Sequence, residues 1–93
     1  MTPPTWIDAS ASPGFRERRI KGWLYQAPTS EVLGQVHEHG GELLARVKAP
    51  TGRYDMTPME ATPENLRMIM EDIERIVRGE RIENGGQLPP PGA

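Results

Sequence analysis

The amphipathic helix predicted for residues 62–79 is the feature that most constrains the fold of this chain. Thr62 is a favourable N-cap, Pro63 suits the first helical position, and Gly79 can end the helix at the C′ position. One side of the segment carries an apolar stripe that consists of Leu66, Ile69, Met70, Ile73, Ile76 and Val77. We expect this stripe to pack against the apolar face of a sheet.

Residues 32–39 and 42–49 are predicted to pair as a β-hairpin that turns at Gly40-Gly41. Pairing outward from this turn places apolar and polar side chains on opposite faces, as a half-buried hairpin requires. The apolar face would contain Val32, Gly34, Val36, Leu43, Ala45, Val47 and Ala49. The other face would contain Leu33, Gln35, His37, His39, Glu42, Leu44, Arg46 and Lys48.

A short helix is the alternative for residues 30–39. Ser30 would cap this helix, and Gly40 would occupy its C′ position. A glycine in its middle, Gly34, would destabilise it by ~1 kcal/mol, and the segment has few good helix formers. We favour the strand and keep the helix as the alternative.

Two further strands are predicted on either side of the hairpin. A four-residue loop at 50–53 would place Tyr54 and Met56 on the apolar face and Lys48 opposite Asp55. Pro58 would end that strand. Residues 20–26 alternate well enough to form another strand, which carries the aromatic residues that favour a pleated surface.

The predicted fold class is therefore α+β, with a small antiparallel sheet of three or four strands packed by one C-terminal helix. Residues 1–15 are predicted to be a flexible arm, residues 16–80 a single domain, and residues 81–93 a flexible tail rich in Gly and Pro. About 60–65 residues then remain to bury a core, a size at which stability is marginal. This favours a protein that associates with a partner or with itself.

Composition excludes several functional classes. The chain has 93 residues, a net charge of −2 and no cysteine, which rules out a disulfide scaffold, a thiolate zinc site and a cysteine nucleophile. With so little net charge, the chain has no long-range electrostatic field that would attract nucleic acid or an anionic membrane. The chain begins without a signal-peptide pattern and has no run of ~18 apolar residues, so we expect a cytoplasmic location without a membrane partner.

Catalytic and metal-binding patterns are weak. On a strand, His37 and His39 would point the same way, with Glu42 across from His39, but the chain has neither a third histidine nor a cysteine. No serine has a G-x-S-x-G setting, and no Gly-rich phosphate loop follows a strand. We therefore predict no metal, no cofactor and no enzymatic activity.

The leading functional hypothesis is a small non-enzymatic interaction protein that binds a protein partner, with a homodimer as one form it could take. An inhibitor, an adaptor or an accessory subunit of bacterial or viral type would fit this description. Met68 lies ~200° around the helix from Leu66, on its charged side, where an adaptable methionine suits a binding surface. The predicted contact residues are Trp23, Tyr25, Met59 and Met68.

Nucleic-acid binding is the alternative hypothesis. Four cations precede the aromatic residues Trp23 and Tyr25, and such cations could contact phosphates while a ring stacks on a base. The cations are Arg16, Arg18, Arg19 and Lys21. Because a fold class does not define a function, the sequence predicts the architecture and leaves the partner unidentified.

Overall fold

The structure is a computed structural model that describes residues 2–80. These residues form six strands and two helices in the order β1 (Thr5–Asp8), α1 (Pro13–Arg18), β2 (Lys21–Gln26), β3 (Val32–His39), β4 (Glu42–Ala49), β5 (Gly52–Asp55), β6 (Met59–Glu60) and α2 (Pro63–Val77). Every strand pair is antiparallel, and the sheet runs β1-β2-β3-β4-β5, with β6 also paired to β4. The predicted α+β class, with an antiparallel sheet and one C-terminal helix, is confirmed.

The hairpin at Gly40-Gly41 has the predicted register. His39 lies opposite Glu42, and pairing continues outward to Gly34 opposite Val47. Both turn glycines have positive φ, 61° and 80°, which a primed two-residue turn requires. Residues 32–39 are therefore a strand, and the helical alternative is wrong.

The helix α2 begins and ends at the predicted signals. The Oγ1 atom of Thr62 accepts a hydrogen bond from the backbone N–H of Asn65 at 3.1 Å. At the other end, the N–H of Gly79 donates to Ile76 O and the N–H of Glu80 donates to Arg75 O, both at 2.9 Å. With Gly79 at φ 86°, this is a Schellman motif, so both ends of α2 are set by local sequence.

The hydrophobic core lies between α2 and one face of the sheet. Ile69, Ile73 and Ile76 of α2 are almost completely buried, and they belong to one cluster with Tyr25, Val36, Leu43, Val47, Ala49 and Met56. Trp6 of β1 closes one side of this cluster. Its ring centroid lies 4.9 Å from that of Tyr25, and its Nε1–H donates to Glu74 of α2 at 2.9 Å.

The N-terminal segment differs from the predicted flexible arm. Residues 5–8 form the edge strand β1, which pairs with β2 from Thr5↔Gln26 to Asp8↔Trp23, and residues 13–18 form α1. The predicted boundary between residues 15 and 16 therefore falls inside a helix. The predicted sheet of three or four strands was too small, because β1 and the two-residue β6 had no strong local signal. The predicted tail, residues 81–93 with its proline run, lies outside the described residues.

The turn between β4 and β5 is shorter than predicted. Ala49 pairs with Gly52, so the loop contains two residues instead of four, and Asp55 lies opposite Arg46 instead of Lys48. The predicted and the observed loop both contain an even number of residues, so the side chains of β5 stay on their predicted faces. Tyr54 therefore packs against the core and Met56 is buried in it, as the apolar pattern predicted.

A bulge in β3 reverses the predicted places of two residues. Tyr25 pairs with Gly34 and the next residue, Gln26, pairs with Val32, which leaves Leu33 without a partner in β2. Val32 is 40% exposed, whereas Leu33 packs against the core. The strict alternation predicted for this end of the strand was therefore wrong.

Gly34 of β3 lies directly beneath Ile73 of α2. A Cβ atom built at Gly34 would lie 2.5 Å from Cγ2 of Ile73, a side chain that is fully buried. We expect Gly34→Ala to lower the free energy of unfolding by about 1–3 kcal/mol, because the buried Ile73 side chain has no room to move away from the added methyl group. Chemical denaturation measures this change. Gly14→Ala, where the added Cβ meets nothing within 4 Å, is the matched control and should leave stability unchanged or slightly higher.

Asp72 of α2 is a buried carboxyl, and burial raises its pKa above the ordinary value of 3.8. Since the folded-state pKa exceeds the unfolded one, this group favours folding most at low pH, and the contribution disappears as pH rises through the folded-state pKa. We expect Asp72→Asn to raise the free energy of unfolding at pH 7 by about 1 kcal/mol, because it removes a buried charge. Denaturation repeated at acidic pH, where both side chains are neutral, should show no gain, and an equal gain at both pH values would contradict this explanation.

No helix within residues 2–80 combines the length and the apolar content that crossing a membrane requires.

Candidate functional site

One face of the sheet is not covered by α2, and we call it the open face. Side chains alternate between the two faces along each strand. The core residues and the residues paired with them across the strands therefore point to α2, whereas the residues next to them in sequence point away. The register places one residue from each of five strands side by side across the open face, namely Ile7, Leu24, Gln35, Arg46 and Asp55. This row crosses the sheet from one edge to the other.

The short helix α1 covers one end of the open face. A Cβ atom at Gly22 would lie 2.8 Å from the ring of Phe15, so the glycine allows this ring to pack directly on β2. The Phe15 ring centroid is 6.3 Å from that of His37. Within residues 2–80, the remainder of the open face has no helix packed against it.

Large exposed hydrophobic side chains are concentrated on this face. In the described part of the chain, three such residues stand out: Ile7 at 42% exposure, Val32 at 40% and Met68 at 40%. Ile7 belongs to the row across the sheet, and Val32 pairs with Gln26, two residues from Leu24 on the same side of β2. Met68 lies on the outer surface of α2.

A cavity of about 420 Å³ indents the open face where β5 leaves β4. Its walls include the apolar side chains of Leu44 and Pro58 and the polar side chains of Gln35, His37, Arg46 and Asp55. The volume is within the range of pockets that hold a ligand or a large side chain, roughly 300–1,000 Å³.

His37 is the unusual residue of this cavity. Within residues 2–80, its Nδ1 atom is buried and has no hydrogen-bond partner. Burial lowers the pKa of His37 below its ordinary value, and the positive charges of Arg18, His39 and Arg46 lower it further. The lowered pKa favours the neutral imidazole at pH 7, and two guanidinium groups, Arg18 of α1 and Arg46 of β4, act on it.

Two ion pairs lie on the open face, one between β4 and β5 and one between β4 and the residue that precedes β3. Arg46 Nε donates to Asp55 Oδ1 at 2.7 Å, and both side chains are more than two-thirds exposed. Lys48 pairs with Glu31. Exposed pairs of this kind contribute about 0–1 kcal/mol, so they leave the face polar and accessible without adding much to stability.

The predicted protein-contact residues do not lie together. Tyr25 is 7% exposed and Trp23 packs against the core, so both lie under α2. Met59 is half-buried on β6, and Met68 is exposed on α2, as predicted. Glu74 contacts β1, and Met68 is about 120° around the helix from Glu74, so Met68 faces the opposite flank. Of the four residues, Met68 is exposed, Trp23 and Met59 are half-buried and Tyr25 is buried.

The predicted nucleic-acid-binding cations are also spread over several elements. Arg16 and Arg18 belong to α1, Arg19 follows it with a left-handed φ of 57°, and Lys21 begins β2. Lys21 is two residues from Trp23 on the same face of β2, whereas α1, which carries Arg16 and Arg18, packs on the opposite face through Phe15. The rings of Trp23 and Tyr25 are therefore on the other side of the sheet from α1.

Sequence reasoning missed the open-face row, although part of the signal was present. The predicted polar face of the hairpin already contained Gln35, His37, Leu44 and Arg46. The extension to Ile7 and Leu24 required the pairing of β1 with β2, which no turn signal defines. Among residues 2–80, no cluster of histidine, cysteine and carboxylate side chains could hold a metal ion.

We found no match to the chain among protein-family models, curated proteins or solved structures.

The lowered pKa of His37 predicts a pH dependence of stability. Between the folded-state pKa and the ordinary value of 6.5, the unfolded chain binds more protons than the folded one. We therefore expect the contribution of His37 to be fully present above pH 6.5 and to be lost as pH falls through the folded-state pKa. Denaturation from pH 7.5 to pH 5 should show a smaller loss of stability in His37→Gln than in the wild type. A loss of stability as steep in His37→Gln as in the wild type would contradict this explanation.

Proposed function

We propose that this protein is a small non-enzymatic interaction module that binds a protein partner through the open face of its sheet. The observation that supports the proposal is the distribution of exposed hydrophobic residues. Two of the three large ones in the described chain lie on a face that α2 does not cover.

The physical basis of the proposal is the mixed character of this face. Ile7, Leu24 and Leu44 offer apolar surface, while Arg46 and Asp55 offer polar groups at one end. Protein interfaces commonly combine an apolar centre with a polar rim. An antiparallel sheet commonly keeps one face in water, so an uncovered face is compatible with a folded, unbound protein.

Nucleic-acid binding is the second candidate function, and one observation favours it. Arg18 of α1 and Arg46 of β4 both act on His37, so positive charge from two elements converges on the open face. Binding of this kind would weaken steeply with salt, whereas a complex centred on apolar contacts would weaken little.

A pair of matched variants tests the proposed function. Ile7→Asp and Met68→Glu each place a carboxylate at a hydrophobic position of nearly equal exposure, 42% and 40%, on opposite sides of the molecule. We expect nuclease-treated native lysate to yield one stoichiometric protein with the wild type and with Met68→Glu. Ile7→Asp should reduce its recovery about tenfold, because a carboxylate replaces a buried apolar contact.

Thermal melting of both variants serves as the folding control. If Met68→Glu loses the partner and Ile7→Asp keeps it, the outer surface of α2 is the binding site and our assignment is wrong. If nuclease removes everything bound, the nucleic-acid hypothesis replaces the protein-partner proposal. The lysate could also yield no partner while the wild type forms a dimer in solution that Ile7→Asp dissociates. That result would identify a second copy of this chain as the occupant of the open face.

A further inference from the structure

The outer edge of β1 carries backbone groups that no neighbouring strand pairs. The N–H of Ala9 donates to Gly22 O at 2.8 Å and continues the register of β1 with β2. Because hydrogen-bonded and non-hydrogen-bonded pairs alternate along an antiparallel ladder, Ile7 also bonds to β2, whereas the N–H and C=O groups of Trp6 and Asp8 point outward. Within residues 2–80, the sheet contains no strand beyond this edge.

Local sequence limits this outward edge to Trp6 and Asp8. The preceding outward position is Pro4, which has no N–H to donate. The following one is Ser10, whose N–H already donates to Asp8 Oδ1 at 2.9 Å. The edge is therefore a short segment whose donors flank Ile7 on either side. An antiparallel partner for this edge must supply acceptors on both sides of one central residue.

The edge is complementary to a second copy of itself. If Ile7 of one copy lies opposite Ile7 of the other, Trp6 of each copy lies opposite Asp8 of the other, and both N–H groups of each edge donate to carbonyl groups across the interface. The carboxylate of Asp8 then lies beside Trp6 of the other copy instead of the other Asp8. Registers shifted by two residues would also bond these donors, but they would place Ile7 opposite Thr5 or Ala9.

The exposure of Ile7 favours the symmetric register. Its side chain is 42% exposed on the open face. Facing residues in a non-hydrogen-bonded pair have Cα atoms about 4.5 Å apart, and apolar side chains at such positions pack against each other. Each copy would therefore cover the exposed isoleucine of the other. An edge partner without an apolar residue at this position would leave that isoleucine in water.

The opposite edge of the sheet is unsuited to this pairing. The N–H of Met56 donates to Ala45 O at 2.8 Å, so the outward backbone groups of β5 belong to Arg53 and Asp55. Both side chains are charged and exposed, and charges of this kind discourage pairing between edges. Of the two edges of the described sheet, β1 is therefore the one with an apolar centre.

We propose that two copies of this protein form a two-fold dimer through antiparallel pairing of their β1 strands, with Ile7 opposite Ile7. Neither helix obstructs this arrangement, because α2 packs over β3 and β4 and α1 packs on β2. The two sheets would become one, with both α2 helices on one side and both open faces on the other. The inference goes beyond the proposed function, since it concerns the edge of the sheet and leaves the open face accessible.

Sedimentation equilibrium of the purified protein tests the dimer. The paired edge is short, so the interface is small and the dimer is weak. We expect the average mass to rise from monomer toward dimer between about 0.02 and 1 mM, with a Kd on the order of 0.1 mM. Amide hydrogen exchange of Trp6 and Asp8 should be slower at the upper end of this concentration range, since edge pairing gives their N–H groups acceptors.

The variants Ile7→Asp and Leu24→Asp distinguish the edge from the open face. The two residues pair with each other on the same face, but Leu24 lies one strand inward from the edge. We expect Ile7→Asp to raise the Kd of the dimer about tenfold or more, because two facing carboxylates replace an apolar contact. The matched control Leu24→Asp should change the Kd by less than about threefold.

The variants Asp8→Pro and Asp8→Ala test the backbone pairing without changing the open face. Both remove the carboxylate, but only proline removes the outward N–H, which makes no hydrogen bond to β2. We expect Asp8→Pro to raise the Kd roughly tenfold and Asp8→Ala to stay within about threefold of the wild type. Thermal melting identifies any variant that does not fold.

Three results would overturn the proposal. One is a wild type that stays monomeric at about 1 mM. Another is equal weakening by Ile7→Asp and Leu24→Asp, which would indicate pairing through the open faces. The third is the same Kd for Asp8→Pro and Asp8→Ala. A monomeric protein that captures a partner would leave the proposed function intact, whereas a dimer with protected edge amides that captures no partner would refute only the proposed function.

Discussion

The contact between Ile73 and Gly34 is the constraint on which the rest of the structure depends. Because glycine has no Cβ, Ile73 lies directly over the backbone of β3, between Tyr25 and the core residues of β4. This close approach fixes which face of the sheet α2 covers. Once that face is chosen, the alternation of side chains decides everything exposed on the other one, including Gln35 and His37.

The parts of the fold that follow from local sequence were predictable. Thr62 and Gly79 define α2 through contacts within four residues, and Gly40-Gly41 defines a hairpin whose register needs no distant information. The strand β1 has no such signal. Its residues pair with residues of β2 that are 15 to 21 positions away in sequence. The strand is also held by the contact between the Trp6 and Tyr25 rings and by the hydrogen bond from Trp6 to Glu74 of α2.

The candidate site was harder to predict for the same reason. Aromatic residues attract attention as binding residues, yet Trp23 and Tyr25 pair with Val36 and Gly34 and therefore face α2. Their neighbour Leu24 faces the open side. Assigning these faces requires the register between β2 and β3, and the bulge at Leu33 disturbs that register at one end. A two-residue turn at 50–51 would have placed Asp55 opposite Arg46. Loops of two and of four residues both keep Tyr54 and Met56 on the apolar face, so the apolar pattern could not distinguish the two registers.

The two faces of the sheet contribute differently to the stability of the fold. The core side contains the contacts that stabilise the fold, while the open face contains exposed ion pairs of little energetic value and a histidine with a lowered pKa. His37 combines both effects, because its Nδ1 atom loses hydrogen bonds to water and finds no replacement among the described residues, while its ring lies 6.3 Å from that of Phe15 of α1. The position of this side chain on the open face therefore follows from the packing of α1 on β2 and β3, at the expense of one unsatisfied ring nitrogen.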